Sequence, residues 1–309
     1  MRKIYLFTFM MLLLAHLKGQ AQQITLHVER AGTLPDMIDE SRLPYITDLK
    51  LTGELNGTDI RLIRTLAQEN LQILDLSEAR IVEGGSPYYS NYRTSNDIIG
   101  SYMFYNPDYR PISSYAISKI NLPNSVTGIK EGAFKNCTRL TDINIPNSVK
   151  SIGYEAFRDC TSLTDINIPN SVTSIGEQAF KGCTSLTDVN IPNSVTSIGE
   201  QAFYNCDNLK SVYMNASTPP SIGSQAFHNI SKDLTIYIPR GSYTAYWLSY
   251  WGNYNLVEYD PTDIQGVTTS AHNGAEKYFS IDGRPLPGPC KGMNIIQDTD
   301  GKTRKAWIP

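Results

Sequence analysis

The sequence predicts a mostly β fold with short helices, in which short strands stack on one another as a solenoid with terminal caps and a small C-terminal β module. A segment of 23 residues that begins at Leu140 recurs almost unchanged at Leu163 and at Leu186. Each copy contains a short alternation of apolar and polar residues, which is the period of a strand with one buried face. Charged residues make up 18% of the chain, below the quarter or so that is typical of soluble proteins, which favours stacked strands over charge-rich helices.

Each repeat combines one strand, one turn and one aromatic ring. In the copy that begins at Leu140, Ile143 and Ile145 lie on one face of the strand, and Asp142 and Asn144 lie on the other. A proline follows the strand and marks its end, because proline cannot donate to a β ladder. Two further columns recur with a step of 23 or 24 residues: Phe134, Phe157, Phe180, Phe203 and Phe227, and Cys137, Cys160, Cys183 and Cys206.

No single repeat can bury its own apolar side, so the repeats are predicted to stack in register. Ile143 would then lie on Ile166, with neighbouring coils about 4.8 Å apart. Each buried phenylalanine or isoleucine contributes roughly 1.5–3 kcal/mol, so cohesion arises between neighbouring coils. A period of 23 residues with leucine-like positions is typical of leucine-rich repeats.

The repeated motif I-P-x-S-V-x-x-I-G-x-x-A-F-x-x-C-x-x-L, found between Lys119 and Leu209, resembles the BspA-type leucine-rich repeat family of bacterial surface proteins. The resemblance implies a curved or irregular solenoid with parallel strands along one side. It also implies a secreted or cell-surface protein that adheres to host matrix proteins or to other bacteria. The C-terminal segment is similar to the tails of secreted Bacteroidetes proteins, some of which are sorting tails.

The N-terminus has the pattern of a secretory signal peptide, residues 1–21. Arg2 and Lys3 precede an apolar run that is too short to span a membrane comfortably, and Ala21 provides a cleavage position. Cleavage would remove three basic residues and no acidic residue, which takes the formal net charge from −3 to −6. The remaining chain has no basic cluster and no apolar stretch of membrane-spanning length, so nucleic acid and anionic lipid are not predicted partners.

The rest of the chain divides into six predicted segments. They are an N-terminal cap with divergent repeats (22–82), a tyrosine-rich insertion with a divergent coil (83–114), the regular repeats (115–239), a C-terminal cap (240–260), a linker (261–275) and a small β tail with sorting as one alternative (276–309). In the first segment, Thr58 or Asp59 is predicted to cap a helix that contains Ile60, Ile63 and Leu66.

The sequence predicts no enzyme, no metal site and no cofactor. After removal of the signal peptide the histidines are His27, His228 and His272, and none has the spacing of a metal or catalytic site. The G-x-S-x-G, P-loop and H-E-x-x-H motifs are absent from the sequence.

Two interpretations of the cysteine column remain open. Neighbouring cysteines would lie close enough for disulfides, and a secreted protein can form them. In-register side chains that project the same way suit stacked, buried thiols better than the S–S dihedral, so free thiols are favoured. Cys290 is a further thiol in the tail.

The polar column of the strands is a candidate ligand face, formed with Lys119, Asn121 and Ser211. In-register carboxylates about 5 Å apart repel one another by about 1 kcal/mol per adjacent pair in water. The column therefore either binds cations or a basic partner, or is solvated and satisfied by nearby hydroxyl and amide groups. The candidate residues are Asp142, Asn144, Asp165, Asn167, Asp188, Asn190 and Tyr213.

Two groups of aromatic residues form a candidate aromatic patch. They are Tyr88, Tyr89 and Tyr92 in the insertion, and Tyr246, Trp247, Tyr250 and Trp251 in the C-terminal cap. They either seal exposed coil edges or stack against sugars. The leading functional hypothesis is a non-enzymatic, adhesin-like protein that binds host or bacterial surface proteins through the solenoid. A glycan-binding or nutrient-capture protein and a structural spacer are the alternatives.

Overall fold

The computed structural model describes residues 22–106 and 115–259, and the backbone of four strands between 277 and 308. The predicted signal peptide, the predicted linker and Cys290 lie outside the described residues. Helices in the described part are few and short: α1 (Leu34–Met37), α2 (Gly57–Glu69) and α3 (Tyr243–Trp247), with 3₁₀ turns at Glu40–Tyr45 and Tyr250–Asn253. Strands are the main regular secondary structure of the described part, which confirms the predicted fold class.

One side of the solenoid consists of two parallel sheets. The first has five strands in the order β1 (Gln22–Val28), β2 (Ile46–Leu55), β3 (Ile73–Ile81), β7 (Lys119–Asn121) and β9 (Asp142–Asn144). The second has four strands in the order β12 (Asp188–Ile191), β14 (Ser211–Met214), β16 (Thr235–Pro239) and β17 (Asn255–Tyr259). All pairs in both sheets are parallel, and equivalent positions of neighbouring repeats face each other.

A third parallel sheet is built from two-residue strands. Its spatial order follows the chain: β6 (Ile98–Ile99), β8 (Gly128–Ile129), β10 (Ser151–Ile152), β11 (Ser174–Ile175), β13 (Ser197–Ile198) and β15 (Ser221–Ile222). Serine lies beside serine and isoleucine beside isoleucine in successive coils. The exact repetition of the sequence therefore becomes exact register in the fold.

The core between the sheets contains a stack of six phenylalanine rings. Adjacent ring centroids are 5.0–5.3 Å apart and the rings are within 12° of parallel. Each distance is close to the inter-strand spacing of about 4.8 Å, so one ring belongs to each coil. The stack begins at Phe104, whose coil carries Met103 where the other coils have alanine, and it ends at Phe227.

The four repeat cysteines are free and buried. Each thiol contacts the backbone carbonyl of a phenylalanine of a neighbouring coil, with sulfur–oxygen distances of 3.1–3.2 Å. Burial raises the pKa of Cys137 and of Cys206 to about 12. Neutral thiols therefore fill these slots as small apolar groups with one weak donor.

The N-terminal cap packs α2 beside the first strands. Ile60, Ile63 and Leu66 are buried, as their helical spacing predicts. The N-cap is Asn56, so the prediction of Thr58 or Asp59 at this position is wrong. Asp59 instead completes a capping box with Asn56, and its carboxylate also accepts hydrogen bonds from the backbone N–H groups of Gly32 (2.6 Å) and Leu34 (2.9 Å).

The segment after β3 forms an antiparallel hairpin of β4 (Gly84–Tyr89) and β5 (Tyr92–Thr94), which contacts α2. The remaining four strands form a separate antiparallel sheet in the order β19 (Pro285–Leu286), β18 (Lys277–Ser280), β20 (Gly292–Gln297) and β21 (Thr303–Ile308). Antiparallel pairing distinguishes both units from the parallel coils.

Candidate functional site

The ladder on the strand side of the solenoid is interrupted at one coil. Among the described residues, the segment Asp165–Asn167 makes a single β bridge, from Asn167 to Asn190, and belongs to neither of the two sheets on this side. The Phe157–Phe180 stacking and the Ser151–Ser174 pairing remain intact across the same coil. The interruption is therefore confined to the polar face.

A polar pocket of about 500 Å³ opens at this interruption. Its wall contains groups of both charges, amides and hydroxyls, and one apolar residue. The lining residues are Lys119, Asn121, Thr141, Asp142, Ile143, Asn144, Thr164, Asp165 and Asn167. Four of the seven predicted ligand-face residues thus line one cavity.

Charge on the pocket wall is partly compensated. The ammonium group of Lys119 lies 2.8 Å from a carboxylate oxygen of Asp142, and the two residues face each other in register. On the other side of the interruption, burial raises the pKa of Asp188, although the Thr187 hydroxyl donates a hydrogen bond to its carboxylate at 2.8 Å. The Asp188 carboxyl is therefore partly desolvated.

Three asparagine amides project from the same face. The side chains of Asn144 and Asn167 are exposed, that of Asn190 is half-buried, and none forms a hydrogen bond within the part of the chain that the structure describes. An amide offers both donors and an acceptor. The asparagine column therefore offers both hydrogen-bond donors and hydrogen-bond acceptors to a binding partner.

Tyr213 does not belong to the accessible face. Its side chain is buried, with its ring stacked on Tyr237 at 4.7 Å and against Tyr259 at 5.9 Å. The prediction placed Tyr213 on the ligand face because it is in register with the asparagine column. That register is correct, since Asn190 pairs with Tyr213. The later aromatic rings cover it, which a single repeat position does not reveal.

The described tyrosines of the insertion divide into one buried ring and a surface cluster. Tyr88 is buried and donates a hydrogen bond to the Ser101 carbonyl at 2.8 Å, so it is structural. The rings of Tyr89, Tyr92, Tyr102 and Tyr105 lie 5.3–6.5 Å apart. The guanidinium of Arg64 lies 4.7 Å from the Tyr89 ring centroid.

The aromatic residues of the C-terminal cap also divide. Tyr246 and Trp251 are fully buried, so their prediction as part of an accessible patch is wrong. Trp251 packs against Phe227 at 5.7 Å and donates from Nε1 to the Pro220 carbonyl at 2.8 Å. Trp251 therefore covers Phe227, the last ring of the phenylalanine stack.

The exposed part of the cap consists of different residues. Trp247 and Tyr250 are more than half exposed, and they are joined by Tyr243 and Leu248, which sequence reasoning did not select. The Tyr243 and Trp247 rings are nearly parallel at 6.0 Å. The i, i+4 spacing of these two residues on a helix was the signal that could have identified them.

Thr141 and Thr164 are the pocket residues that sequence reasoning missed. They precede Asp142 and Asp165 in the repeat, and their recurrence in register with the aspartates was the available signal.

Within the described residues no group of three histidine, cysteine or acidic side chains is placed to hold a metal ion. Likewise, no described helix has the length and apolar character needed to cross a bilayer.

Comparison with known proteins identifies the repeat. The family model for the BspA type leucine rich repeat region matches six copies within residues 97–235. The comparison with curated proteins returned no match.

Solved structures of bacterial leucine-rich repeat proteins are similar to parts of the chain. A T. pallidum protein is 31% identical, with 45% of this chain and 63% of that chain covered and a TM-score of 0.39. A Bacteroides ovatus protein is 23% identical, with coverage of 55% and 57% and a TM-score of 0.34. A Faecalibacterium prausnitzii cell surface protein is also 23% identical, with coverage of 72% and 51% and a TM-score of 0.35.

The chain spans less than two thirds of the length of each of these proteins. The matched range contains all six phenylalanines of the ring stack, from Phe104 to Phe227. Residues 97–235 are therefore a BspA-type leucine-rich repeat region, as the repeated motif predicted.

Proposed function

We propose that the protein is a non-enzymatic binding protein, secreted or attached to the cell surface, that holds a protein partner on the polar face of its solenoid. The observation that carries the proposal is the pocket at the ladder interruption, where Asp142, Asn144, Asp165 and Asn167 converge. Asp142 and Asn144 belong to a parallel sheet and Asn167 is bridged to Asn190, so part of the surface that a partner would meet is preorganised.

Two features favour protein recognition at this face. Side chains of both charges together with amides are suited to backbone and side-chain groups of another protein, because they provide donors and acceptors in fixed positions. The repeated coils also extend the surface well beyond one pocket, as in other solenoids that bind through an extended face. Adhesion to host matrix or bacterial surface proteins is the role that we infer from this arrangement and from the repeat family.

A matched pair of double variants tests the proposal. Asn144→Lys with Asn167→Lys alters the polar face, and Thr173→Lys with Thr196→Lys adds the same charge to exposed positions of the two-residue-strand side. The second site tolerates lysine, because Lys150 already occupies the equivalent position of the preceding coil. The full chain and both variants would be titrated against purified matrix and bacterial surface proteins and a glycan array.

Loss of binding to a protein ligand in the polar-face variant, with retention in the control, would support the proposal. Equal binding by both variants would contradict it. Absence of binding to any protein or glycan in the panel would also contradict it and would favour a structural spacer.

Glycan binding is a second candidate, which the exposed rings of Tyr243, Trp247 and Tyr250 favour. Exposed aromatic faces stack on the apolar faces of sugars, and two of these rings are nearly parallel. This alternative predicts that Trp247→Ala abolishes glycan binding, whereas Asn144→Lys with Asn167→Lys leaves it unchanged.

A further inference from the structure

The polar face carries an excess of negative charge. The face includes the aspartates Asp48, Asp75, Asp142, Asp165 and Asp188 and the lysines Lys50 and Lys119, and in the paired strands Lys50 faces Asp75 and Lys119 faces Asp142. Both lysines have acidic partners, Lys50 with Glu78 at 2.5 Å and Lys119 with Asp142 at 2.8 Å. The coils that carry Asp165 and Asp188 contribute no cationic side chain to this face.

The pocket combines this charge with hydrogen-bond acceptors. Asp165, Asn144 and Asn167 line the pocket together with the Lys119–Asp142 ion pair. Those amides have no hydrogen-bond partner within the described residues, and their carbonyl oxygens are available as acceptors. The cavity of about 500 Å³ is large enough to admit a long side chain as well as water.

We propose that this pocket takes the basic side chain, arginine or lysine, of the protein partner. The inference rests on the proposed function and names the chemistry that the partner presents. The ammonium or guanidinium group donates hydrogen bonds to the Asp165 carboxylate and to the Asn144 or Asn167 carbonyl oxygens. A charge-assisted pair of this kind is roughly twice as strong as a neutral hydrogen bond.

The probe is a capped heptapeptide, Gly-Ser-Gly-Arg-Gly-Ser-Gly, and its control is the same peptide with citrulline, which keeps the shape of arginine and removes its charge. Both would be titrated into the isotopically labelled full chain by NMR, with shifts followed at Asn144, Asp165 and Asn167. We expect the arginine peptide to bind at least about fivefold more tightly than the citrulline peptide, because the charge-assisted pair is lost in the latter.

Three variants locate the effect. Asp165→Asn should weaken binding of the arginine peptide about fivefold or more, and Asp165→Glu should retain most of it. Asp233→Asn removes an exposed acid of the last repeat, away from the pocket, and should leave binding unchanged. Thermal unfolding of each variant would establish that the fold is retained, and the charge-retaining Asp165→Glu variant keeps the test valid if Asp165→Asn is unstable.

Equal affinity for the two peptides, no binding of either peptide, or an Asp165→Asn variant that binds arginine like the parent chain would overturn the inference. Saturable, Asp165-dependent binding of a neutral sugar in preference to the arginine peptide would overturn it as well. If the polar-face double variant loses a protein ligand while the arginine and citrulline peptides bind equally, the proposed function stands. Only the inference that the pocket takes a basic side chain is then refuted.

Discussion

At the scale of single residues, strict repetition made the inward side chains predictable. Ile143, Phe157 and Cys160 recur at fixed positions, and all three are buried. Accessibility was not predictable in the same way where the repeat degenerates. Tyr213, Tyr246 and Trp251 are covered by rings from other coils or from the cap, and those contacts join positions far apart in sequence.

Truncation of a ring in the middle of the stack should be costly. Phe180 is fully buried between Phe157 and Phe203. Phe180→Ala should lower the free energy of unfolding by about 3–5 kcal/mol, because both neighbours lose contacts and a cavity remains. Urea denaturation would measure this loss. Tyr154→Ala, at an exposed position of the preceding coil, is the control and should cost less than about 0.5 kcal/mol; a comparable loss in both variants would argue against the ring stack.

A buried ion pair should make stability depend on pH. Burial alone would raise the pKa of Glu155, but hydrogen bonds from Lys135 and Arg158 outweigh it and hold this pKa below its usual value of 4.5. The stabilisation from ionised Glu155 is therefore complete above that value and is lost as the pH falls through the lower folded-state pKa.

Glu155→Gln tests this contribution with little change in shape. Glutamine occupies the same repeat position in the next two coils, and Gln201 accepts a hydrogen bond from Lys181 at 2.8 Å. We expect the variant to be less stable by about 1 kcal/mol near pH 7, with the difference shrinking below about pH 4.5. Urea unfolding across this pH range would measure it. Exposed Glu177→Gln should show no such trend, and a pH-independent difference for Glu155→Gln would contradict the assignment.

At the scale of the element, periodicity located α2 but did not identify its cap. Asn56, Thr58 and Asp59 are all acceptable caps by residue type. The choice depends on a tertiary contact, since the Asp59 carboxylate accepts hydrogen bonds from the N–H groups of Gly32, just before α1, and of Leu34, its first residue. Local propensity cannot encode a hydrogen bond that joins residues 25 or more positions apart.

Removal of the Asp59 carboxylate should therefore loosen the N-terminal cap. Asp59→Ala leaves three buried or half-buried backbone N–H groups without their acceptor, those of Gly32, Leu34 and Asn56. We expect a loss of about 2–4 kcal/mol in the free energy of unfolding and faster hydrogen exchange in α2. Asp36→Ala, at an exposed position of α1, is the matched control. Unchanged exchange in α2 would mean that the capping box contributes little.

At the scale of the whole molecule, the repeat predicted the parallel register but not the pocket. The sequence places Asp142, Asp165 and Asp188 in one column. In-register carboxylates oppose close approach, and Lys119 compensates the first of them by an ion pair. The strands of such a column either stay in one sheet or separate into two, depending on the balance between this repulsion and the ladder hydrogen bonds. Sequence composition alone does not determine that balance.

The central claim is that successive coils stack in register, and a deletion tests it most directly. Removal of residues 163–185 takes out one whole coil and joins Ser162 to Leu186, which restores the repeat sequence at the junction. Removal of residues 163–174 takes out about half a coil and breaks the register. Far-UV circular dichroism and urea unfolding would be recorded for both chains.

We expect the whole-coil deletion to unfold cooperatively, with a lower free energy of unfolding and a smaller m-value, because less surface is buried. The half-coil deletion should lack a cooperative transition. A whole-coil deletion that fails to fold, or a half-coil deletion that folds equally well, would contradict in-register stacking.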